Sequence, residues 1–378
     1  MSDTKIDFLY LNEEDTLKAG VTDMNGCVDC MEEMFKVLGR GDYKMAGQNG
    51  NSHGAMVTFP ENPPFPTMPK NGPDRRFMAM PAYLGGDFDI AGMKWYGSNA
   101  ENRKEGLPRS ILMVMLNDKD TGAPLCLMSA NLLSAYRTGA VPGVGAKYLA
   151  PKNSKVLGII GPGVMSKTCL ASLVYACPTL DTIQIKGRGR ASIDSFVAFA
   201  SNYPQFKKVT VVDTMEQACE DADIVVMGTS STMGSGSCDY PFLEEKWLKP
   251  GMLLSAPACV RVDDEFLAKR ARKVLENYGL YECWAEDYAY PAFASVGIIG
   301  VRYFDLMHDG LIKREDIIEL SDVIDGKVPA REYDGQIVIN SVGGMPVEDL
   351  AWGKAVWQNA LKLGLGVNLN LWDAPALA

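Results

Sequence analysis

The stretch Lys155-Val156-Leu157-Gly158-Ile159-Ile160-Gly161-Pro162-Gly163-Val164-Met165-Ser166-Lys167 constrains this chain more than any other. An apolar, β-branched run stops at Gly-x-Gly, and the residues after it read as a helix. That is the form of the first strand, phosphate turn and helix start of a dinucleotide-binding unit. Gly161 permits the tight turn and Gly163 lets a pyrophosphate approach the backbone. The N–H groups at the helix start then supply an anion site. Ser166 stands where a strict fingerprint has its third glycine.

The sequence downstream repeats the strand–helix alternation. Strands are predicted at 155–160, 181–186, 208–212, 223–229, 251–255 and 272–276. Helices are predicted at about 164–176, 190–203, 214–220 and 263–270. Such βα repeats give a Rossmann-type, doubly wound parallel sheet. The end of its second strand decides which dinucleotide is read, because an acid there suits the ribose hydroxyls of NAD and cations suit the 2′-phosphate of NADP. Here Lys186, Arg188 and Arg190 stand at that place, and no carboxylate follows until Asp194. The reading is NADP(H) in preference to NAD(H), with NAD(H) still open and a solvated basic loop as the alternative. Thr229 and Ser230, at the exit of the 223–229 strand, are candidate cofactor contacts, although short hydroxyls in a loop also serve as turn formers.

The first third of the chain follows another pattern. A strand at 6–11 precedes a helix opened by Asn12 and a second helix over about 26–39. Residues 42–75 read as loops, glycine-rich and then proline-rich. Alternating strands come near 77–83, 90–96 and 111–117, with a hairpin turn at 118–122, a strand at 124–128 and a helix over 131–149. After 300 come a helix near 314–325, a strand at 336–340 and a last helix over 347–364. That last helix lies outside the βα pattern and is expected to return to the first domain. The fold expected is therefore α/β: a Rossmann dinucleotide-binding domain over 138–344, and an α+β substrate-binding and dimerisation domain from 1–137 with 345–378.

Composition excludes several functions. The 37 basic residues are outnumbered by 47 acidic ones, a net charge of −10, which argues against nucleic acid or a membrane surface as partner. The first residues have neither the charged n-region nor the apolar core of a signal peptide, and no run is long enough to span a bilayer, so a cytoplasmic chain is expected. Cys27 and Cys30 form a Cys-x-x-Cys without a second pair at zinc-site spacing, and read as buried thiols. With His53 and His308 the only histidines, a zinc cluster or a histidine-centred triad is hard to assemble, and no metal is expected.

Several separated motifs agree on a family. Ala91-Gly92-Met93-Lys94-Trp95-Tyr96 is followed by Asn102-Arg103-Lys104-Glu105-Gly106-Leu107-Pro108, by Asp120-Thr121-Gly122-Ala123-Pro124-Leu125, and by Leu133-Ser134-Ala135-Tyr136-Arg137-Thr138-Gly139-Ala140. Together with Gly161-Pro162-Gly163-Val164-Met165 and Ser341-Val342-Gly343-Gly344, they resemble the ornithine cyclodeaminase/μ-crystallin family over about 77–352. The resemblance implies a homodimer joined through the non-Rossmann domain, with Lys94 and Arg137 in the substrate pocket. It also implies cofactor contacts from Thr138 and Val342; Val164 and Met165 at the helix start, and Gly343, are further candidate cofactor contacts. The chemistry suits such roles: Arg137 can hold a carboxylate bidentately, and a desolvated Lys94 can exchange a proton with a substrate nitrogen.

The departures bear on the substrate. Cyclodeaminases carry an aspartate after the fifth strand for the ornithine side-chain amine, whereas here no carboxylate appears until Asp263. Their second arginine and their glutamate in the N-terminal sheet are also missing. Arg75 and Arg76 either replace the lost carboxylate clamp or are an exposed pair. The sequence therefore leads to an NADP-dependent oxidoreductase acting on a C–N bond of a small amine, imine or amino acid. Cyclic imino acids and opine-type secondary amines are included. Lys94 is its catalytic residue, and Arg137, Arg75 and Arg76 bind the substrate. Ammonia-eliminating cyclodeamination with recycled NAD, and non-catalytic binding of NADPH and a ligand, are the alternatives.

Overall fold

The computed structural model describes residues 4–229 and 239–377. The chain divides into two compact units, one of residues 1–23, 40–137 and 345–378, the other of 24–39 and 138–344.

The first unit begins with β1 (Ile6–Leu11), then β2 (Tyr43–Met45), β3 (Ala55–Thr58), β4 (Arg76–Leu84), β5 (Ile90–Ser98), β6 (Ser110–Asn117) and β7 (Pro124–Ser129). The helix Asn131–Leu149 begins in this unit and carries the chain into the second. There β8 (Val156–Ile160), β9 (Thr182–Lys186), β10 (Lys208–Val211), β11 (Ile224–Met227), β12 (Leu253–Ala256), β13 (Arg272–Leu275), β14 (Ile317–Glu319) and β15 (Val338–Ser341) form one sheet. The chain then returns to the first unit as the helix Pro346–Leu363 and the edge strand β16 (Val367–Trp372).

The second sheet is parallel throughout, in the order β10-β9-β8-β11-β12-β15-β13-β14. Its central strands β11, β12 and β15 are buried along their whole length, as a sheet covered on both faces requires. The order reverses at β8, which has β9 on one side and β11 on the other; open α/β sheets bind ligands at such a point, outside the carboxyl ends of the strands. The first sheet has the order β16-β1-β7-β6-β5-β4-β2, with β3 pairing the other end of the β4 edge. It is antiparallel apart from β1 with β7. The helix Pro346–Leu363 packs on β4, β5 and β6 and supplies the cover for one face.

Three expectations need correction. The helix Met24–Gly39 belongs to the second unit, because its apolar face, with Val28, Met31, Met34 and Phe35 fully buried, packs on the helices Val164–Ala176 and Leu320–Ile324. Residues 42–75 are not all loop, since β2 and β3 lie there. The helix read near 314–325 is a 3₁₀ turn, then β14, then a helix of one turn and a half; β-branched Ile317 and Ile318 extend the sheet beside β13.

Candidate active site

The glycine turn after β8 opens a crevice of about 720 Å³ in the second unit. Gly161 has φ +89°, and a Cβ there would stand 2.7 Å from the backbone of Gly228 and Thr229, so the tight turn depends on glycine. At Gly163 a Cβ would meet nothing within 4 Å; the space beyond that backbone is open for a ligand. Gly163 is the N-cap of the helix Val164–Ala176 and brings no side-chain cap, so the positive end of the helix is answered by no side chain of the cap residue. Ser166, in the third-glycine position, donates to the Gly161 carbonyl at 2.7 Å and pins the turn from inside.

Lys186 and Arg188 line the same crevice, with Gly187, Gly189, Gly228 and Thr229. Lys186 Nζ also donates to the Asp213 carbonyl at 2.5 Å. Arg190 takes another place: 82% exposed, it pairs with Asp194 one turn along its own helix. Ser230 lies outside the described residues. Thr138, Val164, Met165, Arg190, Val342 and Gly343 are not among the described lining residues of this crevice. In the loop after β15, the buried Glu276 carboxylate accepts from the N–H groups of Gly343 and Gly344 at 2.7 and 2.5 Å, and Val342 N–H donates to the Ala256 carbonyl. At the exit of β12, Asp263 caps the helix Asp264–Lys269, accepting from Phe266 N–H at 3.0 Å.

The first unit holds a different kind of site. Lys94 lies on β5, opposite Met80 on β4 and Val114 on β6, and is 3% exposed. The covering helix starts at Met345 with Pro346 in its first turn, and Glu348 and Asp349 follow, both fully buried. Carboxylates in a first turn are favoured by the helix dipole, and these two also meet two cations. Asp349 Oδ2 stands 2.8 Å from Lys94 Nζ, and Asp349 Oδ1 accepts from Arg137 Nε at 2.9 Å. Glu348 Oε2 accepts from Arg137 Nη1, while Oε1 accepts from the Met345 N–H. Ser134, one turn before Arg137 on its helix, accepts from Lys94 Nζ at 3.4 Å.

Burial and the Arg137 guanidinium pull the Lys94 ammonium down to about 8, against the opposing pull of Asp349 and Glu348. Burial raises Glu348, and Arg137 opposes that rise. Such a lysine changes charge near neutrality, as a group that exchanges protons with substrate must. Arg76 starts β4 on the face that carries Met78 and Met80, and Arg75 donates to the Lys70 carbonyl in the preceding loop. Lys94 pairs with Met80, so Arg76 shares its face of the sheet, whereas Arg75 lies before the strand begins. Among the described residues no group of three or more His, Cys, Asp or Glu could hold a metal, and no helix is long and apolar enough to cross a membrane.

Glu348, Asp349 and His53 did not emerge from the sequence as site residues. Two adjacent acids after Pro346, inside an otherwise apolar helix start, are the signal that could have found the first two. His53 is half-buried, and burial, together with the nearby cations Lys94, Arg137 and Arg76, presses its pKa down to about 3.

A family model for the ornithine cyclodeaminase/mu-crystallin family matches residues 20–364. The chain belongs to this family. Among its relatives, an N-((2S)-2-amino-2-carboxyethyl)-L-glutamate dehydrogenase of Staphylococcus aureus is 26% identical over 370 residues, covering 97% of this chain and 99% of that one. An alanine dehydrogenase of Archaeoglobus fulgidus is 30% identical over 77% of this chain and 83% of its own. Among solved structures, the Δ¹-pyrroline-2-carboxylate reductase of Thermococcus litoralis, in complex with NADH and L-proline, superposes with a TM-score of 0.74. It is 23% identical and covers 96% of this chain and 100% of its own, a likeness of fold.

Proposed function

We propose that this chain is an oxidoreductase that passes a hydride between a nicotinamide dinucleotide and the carbon of a C–N bond, in an imine, an amine or an amino acid. The observation that carries the reading is the buried Lys94–Asp349–Arg137–Glu348 cluster, in which the lysine is held near 8. The reactions named for the relatives, dehydrogenation of amino acids and of an N-substituted glutamate, support the same class.

The glycine turn fits a dinucleotide: the backbone of Gly161 and Gly163, the first turn at Val164 and the hydroxyl of Thr229 would hold it. A bound nicotinamide supplies or takes up the hydride. Arg137 orients the substrate's carboxylate, the plane of its guanidinium being set by Asp349 and Glu348. Lys94 gives its proton to the nitrogen of an imine under reduction, and its free base takes one from an amine under oxidation. NADP(H) is the preferred cofactor, because Lys186 and Arg188 line the crevice where β9 ends and β9 closes on no acid. With Asp263 engaged as a helix cap, no carboxylate near the end of β12 serves a substrate amine, which disfavours cyclodeamination.

Absorbance of reduced nicotinamide, followed with NADPH or NADH and a panel of cyclic and acyclic imines, tests this. Stoichiometric loss of NADPH with one class is expected. Saturable NADPH binding without turnover of any imine would mean a binding protein instead, and a preference for NADH would overturn the reading of Lys186 and Arg188.

The assembly proposed is a homodimer through the uncovered face of the first sheet. Val57, Phe77, Trp95, Ile111 and Met113 are exposed, and β-register sets Val57 beside Phe77, and Trp95 beside Met113. Phe77 and Trp95 stack with centroids 5.9 Å apart. A continuous apolar face of this kind marks an interaction surface. Sedimentation should show a dimer that Trp95→Glu dissociates; a monomeric wild-type protein would refute it.

A further inference from the structure

Arg76 and His53 remain after Lys94 and Arg137 have been given their roles, and the fold puts both on the same ground. The β4 edge is paired by β2 at Leu84–Ala82 and by β3 at Ala79–Arg76, and the chain between those two strands crosses the gap at Met80 and Pro81. Gly54, with φ +143°, lies so close that a Cβ would stand 2.2 Å from the Ala79 carbonyl oxygen. Met80 is the cross-strand partner of Lys94, so this tight passage sets His53 next to the lysine. Burial, with the cations around it, keeps His53 uncharged, and a neutral imidazole can both donate and accept a hydrogen bond.

Arg76 reaches the same region from the start of β4. The Tyr96 ring separates it from Lys94: Arg76 Cζ lies 5.8 Å from the ring centroid and Lys94 Nζ 5.7 Å, so the two charges are no more than twice that distance apart. Arg76 and Arg109 share a single carboxylate, Asp74, which also accepts from the Ser98 hydroxyl at 2.8 Å. The pair therefore carries one positive charge in surplus. The buried Nε of Arg76 has no hydrogen-bond acceptor among the described residues. A surplus positive charge and an unanswered donor, across one aromatic ring from the proposed proton-transfer lysine, are the complement of an anion on the substrate.

We propose that the substrate carries a second carboxylate, bound by Arg76 with His53 as its hydrogen-bonding neighbour, so that dicarboxylic imines or amino acids are preferred over monocarboxylic ones. This rests on the site being that of a C–N oxidoreductase. Bidentate recognition by a guanidinium gives such a preference a sharp dependence on geometry.

The test compares 2-oxoglutarate with 2-oxopentanoate, equal in chain length and different by one carboxylate, each supplied with ammonia or a primary amine to form the imine, with NADPH or NADH as reductant. In each turnover the imine carbon gains the hydride, the nitrogen gains a proton and the nicotinamide is oxidised. Wild-type protein should favour the dicarboxylic imine by about 100-fold or more in kcat/KM. Arg76→Gln should lower that ratio at least tenfold, mainly through KM, and Arg76→Lys should restore part of it. An unchanged thermal transition and NADPH affinity in the variants verify their folding. Equal use of the two acids by the wild type, or a ratio unmoved by Arg76→Gln, would overturn the subsite and leave the oxidoreductase reading in place. If neither imine is reduced, that reading fails first, and calorimetric binding of glutarate against pentanoate decides the subsite by itself: no preference for glutarate overturns it.

Discussion

The crevice of the second unit is made of backbone, and the cluster of the first is made of side chains. At the crevice, Gly161 and Gly163 act by what they lack, and the polar groups offered are N–H groups at a helix start. At the cluster, Lys94, Arg137, Glu348 and Asp349 come from a strand and two helices, and each depends on the other three for its charge balance. Backbone sites tolerate changes of side chain and fail when a methyl group is added. Buried ion clusters fail when any one member is removed, because a buried charge without its partner costs far more than the pair contributes.

The largest effect should follow loss of the lysine. Lys94→Met is expected to lower turnover by about 10²–10⁴-fold, the range of a positioned acid–base group, while NADPH binding persists. In the wild type, Lys94 is an ammonium below about 8 and a free base above it. Imine reduction should therefore decline as pH rises through about 8, amine oxidation should rise over the same range, and both limbs should vanish in the variant. Full activity in Lys94→Met would remove its role.

Stability separates the two regions next. Asp349→Ala should cost about 3–5 kcal/mol, since Lys94 and Arg137 then lie buried without their shared carboxylate. Lys186→Gln, in the crevice, should change stability by less than about 0.5 kcal/mol. Urea titration of the two variants reads the contrast, and equal losses would erase it.

The smallest effects concern the cofactor's phosphate. Lys186→Gln with Arg188→Gln should weaken NADPH binding by about tenfold to a hundredfold, the worth of charge-assisted hydrogen bonds, and leave NADH affinity near its starting value. Arg190→Gln, exposed and paired with Asp194, should change neither. Fluorescence titration with the two nucleotides distinguishes these outcomes; parallel losses for both would show that the cations do not read the 2′-phosphate.

This contrast also explains what could be read from the sequence. The strand–glycine–helix signal at 155–167 is local, so composition and order within a dozen residues disclose both the turn and the crevice. Lys94 and Arg137 have no local signature: a lone cation on a strand or helix reads as a surface residue, and it was a resemblance across separated motifs that singled them out. Glu348 and Asp349 were silent, because the arginine that needs them is 212 residues from Asp349 in the chain. The β14 strand was hidden by its length, since three residues cannot display a period. The allotment of the Met24–Gly39 helix follows from which apolar faces meet, and its own sequence says only that it has such a face.

The chain passes between the two units at 23/24, 39/40, 137/138 and 344/345, so the first unit is completed by residues that follow the whole of the second in the chain. On a ribosome, Lys94 and Arg137 emerge long before the carboxylates that neutralise them. Until Glu348 and Asp349 arrive, Lys94 on β5 and Arg137 on its helix are two cations that cannot leave water without loss. The cluster thus also sets an order of assembly: the ground between β5 and the covering helix cannot dehydrate until Glu348 and Asp349 have been made.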